Sequence, residues 1–112
     1  METVYKVLTP EEFKNFEAEA VGYAGNQMDK KDGFIHLSLH TQVAGVLSRF
    51  YKTNLKVYVL KFEINKEKLK FEKPCHFSDE TFPHIYHNQL LKSELIEVIN
   101  LQRTNLEKDF SF

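Results

Sequence analysis

The chain predicts an α+β fold: a mixed, mostly antiparallel sheet with two main helices, in one domain. Three observations carry that reading. Apolar residues recur at spacings of three and four over two stretches, which is helical periodicity, and gather in alternating or β-branched and aromatic blocks over several others. The elements fall in the order strand, helix, strand, helix and then several strands, so no train of βαβ units forms. The 112 residues, 42% apolar and 13% aromatic, can build one core, and no repeat, low-complexity tract or Gly/Ser-rich linker divides them.

The first strand runs from Val4 to Leu8, and Thr9-Pro10-Glu11-Glu12 then opens a helix. That tetrapeptide supplies a capping hydroxyl, a proline at the first helical position and a glutamate three residues after the cap. Phe13, Phe16 and Ala20 give the helix one apolar face, and Gly22 and Gly25 end the pattern. Tyr23 to Lys31 reads as a polar, turn-rich stretch, with Asp29 and Asp32 bracketing two lysines. Gly33 to Ser38 reads as the second strand. Its alternation puts Phe34, His36 and Ser38 on one face and Ile35, Leu37 and Leu39 on the other, which faces the core. From Thr41, Val43, Val46, Leu47, Phe50 and Tyr51 mark a helix with a broad buried stripe. Leu55 to Ile64 is apolar enough for a buried central strand, and Leu69 to Glu72 adds a short one. A loop from Pro74 to Thr81 precedes the extended segment Phe82 to Tyr86. Leu95 to Leu101 forms the last strand, before a polar C-terminal tail at residues 102–112.

Charge and composition exclude several classes of function. Lys and Arg number 15 against 16 Asp and Glu, for a formal net charge of -1, so duplex nucleic acid is not an expected partner. Lys66, Lys68, Lys70 and Lys73 alternate with Glu67 and Glu72, which reads as a solvated strand edge that resists pairing. The start METVYKVLTPEEF reaches charged residues too early for a secretory signal, and no apolar run approaches the roughly 20 residues that span a bilayer. A cytoplasmic monomer with no membrane partner is expected. Cys75 has no second cysteine for a disulfide or a C-x-x-C motif and reads as a small loop or core residue.

Two segments each place a histidine and a hydroxyl two residues apart: His36 with Ser38, and His84 with Tyr86. In extended backbone each pair faces one way. If the segments are neighbours, imidazoles, a phenol and an alcohol converge on one polar site with Asp29 and Asp32 at its approach. Such a site has donors suited to ribose or phosphate and groups that titrate near neutral pH. The competing reading satisfies each histidine with a backbone carbonyl. No metal is expected, because His84 and His87 would point to opposite faces of a strand and no H-E-x-x-H occurs. Ser38 lies in no G-x-S-x-G turn, and Gly22 and Gly25 follow a helix where a dinucleotide fingerprint must follow a strand.

Val4-Tyr5-Lys6-Val7-Leu8-Thr9, Asp32-Gly33-Phe34-Ile35-His36-Leu37-Ser38 followed by Gln42-Val43, and Phe82-Pro83-His84-Ile85-Tyr86 together resemble the family called domain of unknown function 952. The likeness spans residues 3–101. One departure is His87, where the family pattern usually has a glycine. The family looks like a compact relative of the ADP-ribosyltransferase fold, so the resemblance implies a split, mostly antiparallel sheet with NAD or ADP-ribose in its cleft. It further implies His36 and His84 as catalytic groups, with Lys6, Asp32, Ser38 and Tyr86 contacting a phosphorylated nucleotide. A reaction there would be a transfer or cleavage at ribose or phosphate. The third block holds no glutamate, which argues against ordinary protein ADP-ribosylation and leaves a non-catalytic binding module as the alternative.

Overall fold

In a computed structural model the protein is described over residues 1–73 and 79–112; the expectations for Cys75 and for much of the loop after Pro74 lie outside that range. The elements are β1 (Glu2–Leu8), α1 (Pro10–Ala18), β2 (Gly22–Tyr23), α2 (Gln27–Asp32), β3 (Ile35–His36), α3 (His40–Phe50), β4 (Lys56–Ile64), β5 (Lys70–Glu72), β6 (Phe82–Ile85), β7 (Leu90–Leu91) and β8 (Leu95–Gln102). They form two three-stranded sheets, β1-β4-β8 and β3-β6-β5, and a short β2-β7 ribbon. Every pairing between these strands is antiparallel. The α+β class stands, and the room left for a mixed sheet is not used among the described residues.

The β1-β4-β8 sheet carries a core on each face. Period-two alternation along β1 sends Val4 and Leu8 into a cluster with Phe16, Leu60, Phe62 and Ile85. Tyr5 and Val7 go the other way, into a cluster with Val43, Leu47, Val57 and Val59. Helix α1 therefore packs on one face and α3 on the other. Lys6 shares the parity of Val4 and Leu8, so an ammonium sits in a row that the pattern would fill with an apolar side chain. It is only 4% exposed.

The start of α1 follows from its cap. Thr9 Oγ1 accepts from the Glu12 N–H at 3.2 Å, and Glu12 Oε1 accepts from the Thr9 N–H at 3.0 Å. The helix ends sooner than its periodicity suggests. Glu19 is already extended, and Ala20 lies beyond the helix and is exposed. The cause is tertiary: Gly22 and Tyr23 leave to pair with Leu91 and Leu90.

Two further differences shape the site. The polar stretch before Gly33 contains a third helix, α2, where only two main helices were expected. Asn26 and Asp29 cap it reciprocally, each side chain accepting from the other's backbone N–H at 2.9 Å, and Gly33 closes it in the left-handed region at φ 85. The strand expected over Gly33 to Ser38 is regular only at Ile35–His36. Ser38 instead bridges to the first sheet, where Tyr5 N–H donates to Ser38 O at 2.8 Å and Ser38 N–H to Tyr5 O at 2.9 Å.

The segment beyond β8 returns to the molecule. Arg103 donates to the carbonyls of Tyr51, Asn54 and Lys108 and lies 4.3 Å from the centre of the Phe110 ring. Phe110 and Phe112 pack against the α3-side core.

His87 has a φ of 53, in the left-handed region that favours glycine. The His87→Gly variant should gain about 0.5–1 kcal/mol, the strain of a Cβ there being partly offset by the greater unfolded-state entropy of glycine. Thermal denaturation reads this as a rise of a few degrees in Tm; an unchanged or lower Tm contradicts it.

Candidate functional site

A cleft of about 760 Å³ opens where β1, α2, β3, β5, β6 and the face of α3 meet. The residues singled out from the sequence all line it: Lys6, Asp32, His36, Ser38, His84 and Tyr86. The antiparallel register makes His36 and His84 direct partners across β3 and β6, with ring centres 5.5 Å apart. Ser38 reaches the cleft through its bridge to Tyr5, and Tyr86 follows directly after β6.

One side of the cleft is organised by a carboxylate that sequence reasoning placed at the approach. Asp29 is 2% exposed and stands at the centre. Its carboxylate accepts from Lys6 Nζ at 2.7 and 2.9 Å, from the His36 N–H at 3.0 Å and from the Asn26 N–H at 2.9 Å. His36 Nδ1 lies 2.6 Å from the same group. Burial alone would disfavour its charge, but the hydrogen bond from His36 and the Lys6 ammonium outweigh it and hold the carboxyl at about 2. Lys6 also donates to His36 O at 2.9 Å, so its ammonium fastens β3 to β1 and is already matched by Asp29. Asp32 lies 3.0 Å from His36 Nε2, so both imidazole nitrogens face carboxylates.

The other side is built around Glu72, which the sequence reading assigned only to a solvated edge. Its strand is indeed the edge of β3-β6-β5, with Lys70 opposite His84 and Glu72 opposite Phe82. That register sets Glu72 diagonal to His84, within reach on the same face. His84 Nδ1 lies 2.7 Å from Glu72 Oε1, and the Tyr86 hydroxyl donates to the same oxygen. The two hydrogen bonds hold the Glu72 carboxyl below its ordinary range, and the bond to Glu72 pushes Tyr86 up to about 12. Burial drives His84 the other way, lowering its basicity against the opposing pull of Glu72. A neutral His84 that donates from Nδ1 to Glu72 carries its lone pair on Nε2, the arrangement of a general base with an orienting acid.

Phe34 is the wall between the two halves. Its ring stacks on His84 at 4.2 Å and lies 4.5 Å from His36 and 5.1 Å from Tyr86. The rest of the lining is largely apolar, with Met28, Val46, Phe50 and Phe82 around the polar centre. A planar, partly apolar ligand with hydrogen-bonding edges suits such a cleft. Among the described residues no group of three metal-ligating side chains is assembled, and no helix is long and apolar enough to cross a membrane.

The geometry fixes a pH dependence. Asp29 binds a proton less readily folded than unfolded, so its contribution is full above about 4 and lost as pH falls through about 2. A shift from 3.8 to about 2 corresponds to roughly 2 kcal/mol. His84, also harder to protonate when folded, adds a loss that begins as pH falls below 6.5, where the unfolded chain takes up a proton that the native state refuses. Denaturant melts across pH should show both stages, with the upper one absent in His84→Gln. Asp29→Asn should cost about 3–5 kcal/mol at pH 7, because it leaves the Lys6 ammonium buried without its counter-charge. A loss below 1 kcal/mol contradicts the account.

The family described as protein of unknown function (DUF952) matches residues 7–98. Similar solved structures include the crystal structure of protein CC0527 from Caulobacter crescentus, at a TM-score of 0.75 and 29% identity, covering 89% of this chain and 86% of that one. The solution NMR structure of CC0527 aligns with a TM-score of 0.74 and 30% identity over 91% and 86% of the two chains. No curated protein matches significantly. Three sequence blocks, a family match across both halves of the cleft and a shared fold agree: this chain belongs to the DUF952 family.

Proposed function

We propose that the cleft binds an ADP-ribose-like or other phosphorylated nucleotide ligand and acts at its ribose or phosphate. The observation that carries the reading is the His84 arrangement: a buried imidazole, 2% exposed, oriented by Glu72 from a neighbouring strand and facing His36 across a strand pair. Glu72 supplies the acid missing from the Phe82 to Tyr86 block. The likeness of the three sequence blocks to a compact ADP-ribosyltransferase fold supports the same assignment, as does the division of the strands into two three-stranded sheets joined at Tyr5 and Ser38.

In this reading the base of the ligand lies against Phe34 and the apolar wall, while Ser38 and Tyr86 face its hydroxyls. Transfer at the ribose breaks the bond from C1′ to the leaving base, which departs with the electron pair. The electron-poor C1′ is stabilised by the Glu72 carboxylate. An acceptor hydroxyl or water forms the new C1′–O bond, and its proton passes to Nε2 of His84. Lys6 and Asp29 act indirectly, by fixing His36.

Nitrogen-edited NMR with added NAD, ADP-ribose, mononucleotides and 2′-phosphorylated RNA ends tests the proposal. Shifts clustered on β3 and β6 with one ligand are expected, and His36→Ala should weaken that binding about tenfold or more in a protein that still melts cooperatively. Absence of shifts at millimolar concentrations of all four ligands contradicts the reading. A ligand that binds and is recovered unchanged after long incubation identifies a binding module that keeps the fold without the reaction.

A further inference from the structure

We propose that the mouth of the cleft, between Glu72 and the rings of Phe34 and Tyr86, is a subsite for a guanidinium cation. The subsite shares Glu72, Phe34 and Tyr86 with the nucleotide reading, but it does not rest on that reading, because these groups would hold a cation in a cleft that binds no nucleotide.

The argument begins with charge. The cleft lining carries Glu12, Asp29, Asp32 and Glu72 against Lys6 and Lys73. Asp29 is matched by Lys6, and Glu12 is engaged at the Thr9 N–H that caps α1. Glu72 is different, since His84 and the Tyr86 hydroxyl orient its carboxylate as neutral donors and leave its charge standing. The Tyr86 ring stands beside it through that hydroxyl, with the Phe34 ring 5.1 Å further on. A carboxylate next to aromatic faces is a cation site by its chemistry.

The chain itself already places a cation there. Lys70 Nζ lies 5.5 Å from the centre of the Tyr86 ring and 3.7 Å from Glu72 Oε2. The contact with the carboxylate is long for an ion pair, and the Lys70 side chain is 68% exposed, so the ammonium leaves at little cost. Lys70 is thus an internal stand-in that a better-matched cation displaces. A guanidinium is the better match, because its plane stacks on a ring while its N–H groups bond a carboxylate in parallel, neither of which an ammonium does.

The test is a nitrogen-edited NMR titration of the full chain with N-acetyl-arginine amide and, separately, N-acetyl-lysine amide. Saturable shifts at Phe34, Glu72 and Tyr86 with the arginine compound are expected, tightening by roughly two- to fivefold in Lys70→Ala, the factor held by a surface ion pair with one ring contact. Glu72→Gln should weaken the same binding. Lys70→Ala alters an exposed edge position and decides the question even if Glu72→Gln fails to fold. Binding unchanged or weaker in Lys70→Ala overturns the proposal, as does equal affinity for the lysine compound or the absence of saturable shifts in both the parent and Lys70→Ala.

Discussion

The molecule is organised around a carboxylate that should not be stable where it is. Asp29 lies in the interior, and an isolated charge there would be driven to take up a proton. It stays ionised because Lys6 from β1, the backbone and ring of His36 from β3 and the Asn26 N–H at the start of α2 all converge on it. The donors come from β1, from β3 and from the residue that caps α2, so satisfying one charge fixes the relative placement of a strand, a helix and a second strand. Burial of apolar surface drives the chain to collapse, but it is non-directional. The Asp29 cluster supplies direction, and it does so at the wall of the cleft.

From that anchor the rest of the site follows by register. Once His36 is fixed on β3, antiparallel pairing sets His84 opposite it, and pairing of β6 with β5 brings Glu72 to His84 and Tyr86. The two imidazoles thereby sit in unlike surroundings. His36 is placed between carboxylates, whereas His84 is buried beside one acid that also holds a phenol. Phe34 packs against both imidazole rings.

Much of the fold was legible because local signals and tertiary outcome agree. Thr9 to Glu12 capped the helix it announced, the β-branched and aromatic run ending at Ile64 became the central strand, and the parity of Gly33 to Ser38 correctly sent Ile35 and Leu37 inward. Helix α2 was missed although its signals were present: Asn26 and Asp29 spaced as a reciprocal cap, lysines in the last turn, Gly33 at the end. With Met28 as its one apolar residue it has no hydrophobic period, and its stability comes from Asp29 reaching across to Lys6. The convergence of His36, Ser38, His84 and Tyr86 was readable from two-residue spacing plus the condition that the segments meet. Glu72 was not, because its role depends on which strand β5 pairs with, and nothing local in Lys70-Phe71-Glu72 states that register. The tail was unreadable for the same reason, since Phe110 and Phe112 reach a core set by other elements, beside an Arg103 that binds carbonyls of the loop before β4.

The central claim is that the buried Lys6–Asp29 pair exists to set the cleft histidines, beyond any share in stability. The direct measurement removes both charges together, in a Lys6→Met, Asp29→Asn variant, and follows the imidazole nitrogens of His36 and His84 by long-range nitrogen–proton NMR. With neither partner left as an unmatched buried charge, the account predicts a variant that folds cooperatively and keeps the His84 signals of the parent. The His36 signals should move away from those of the parent. Unchanged His36 signals in the folded variant would contradict it, and would mean that the strands alone hold the site.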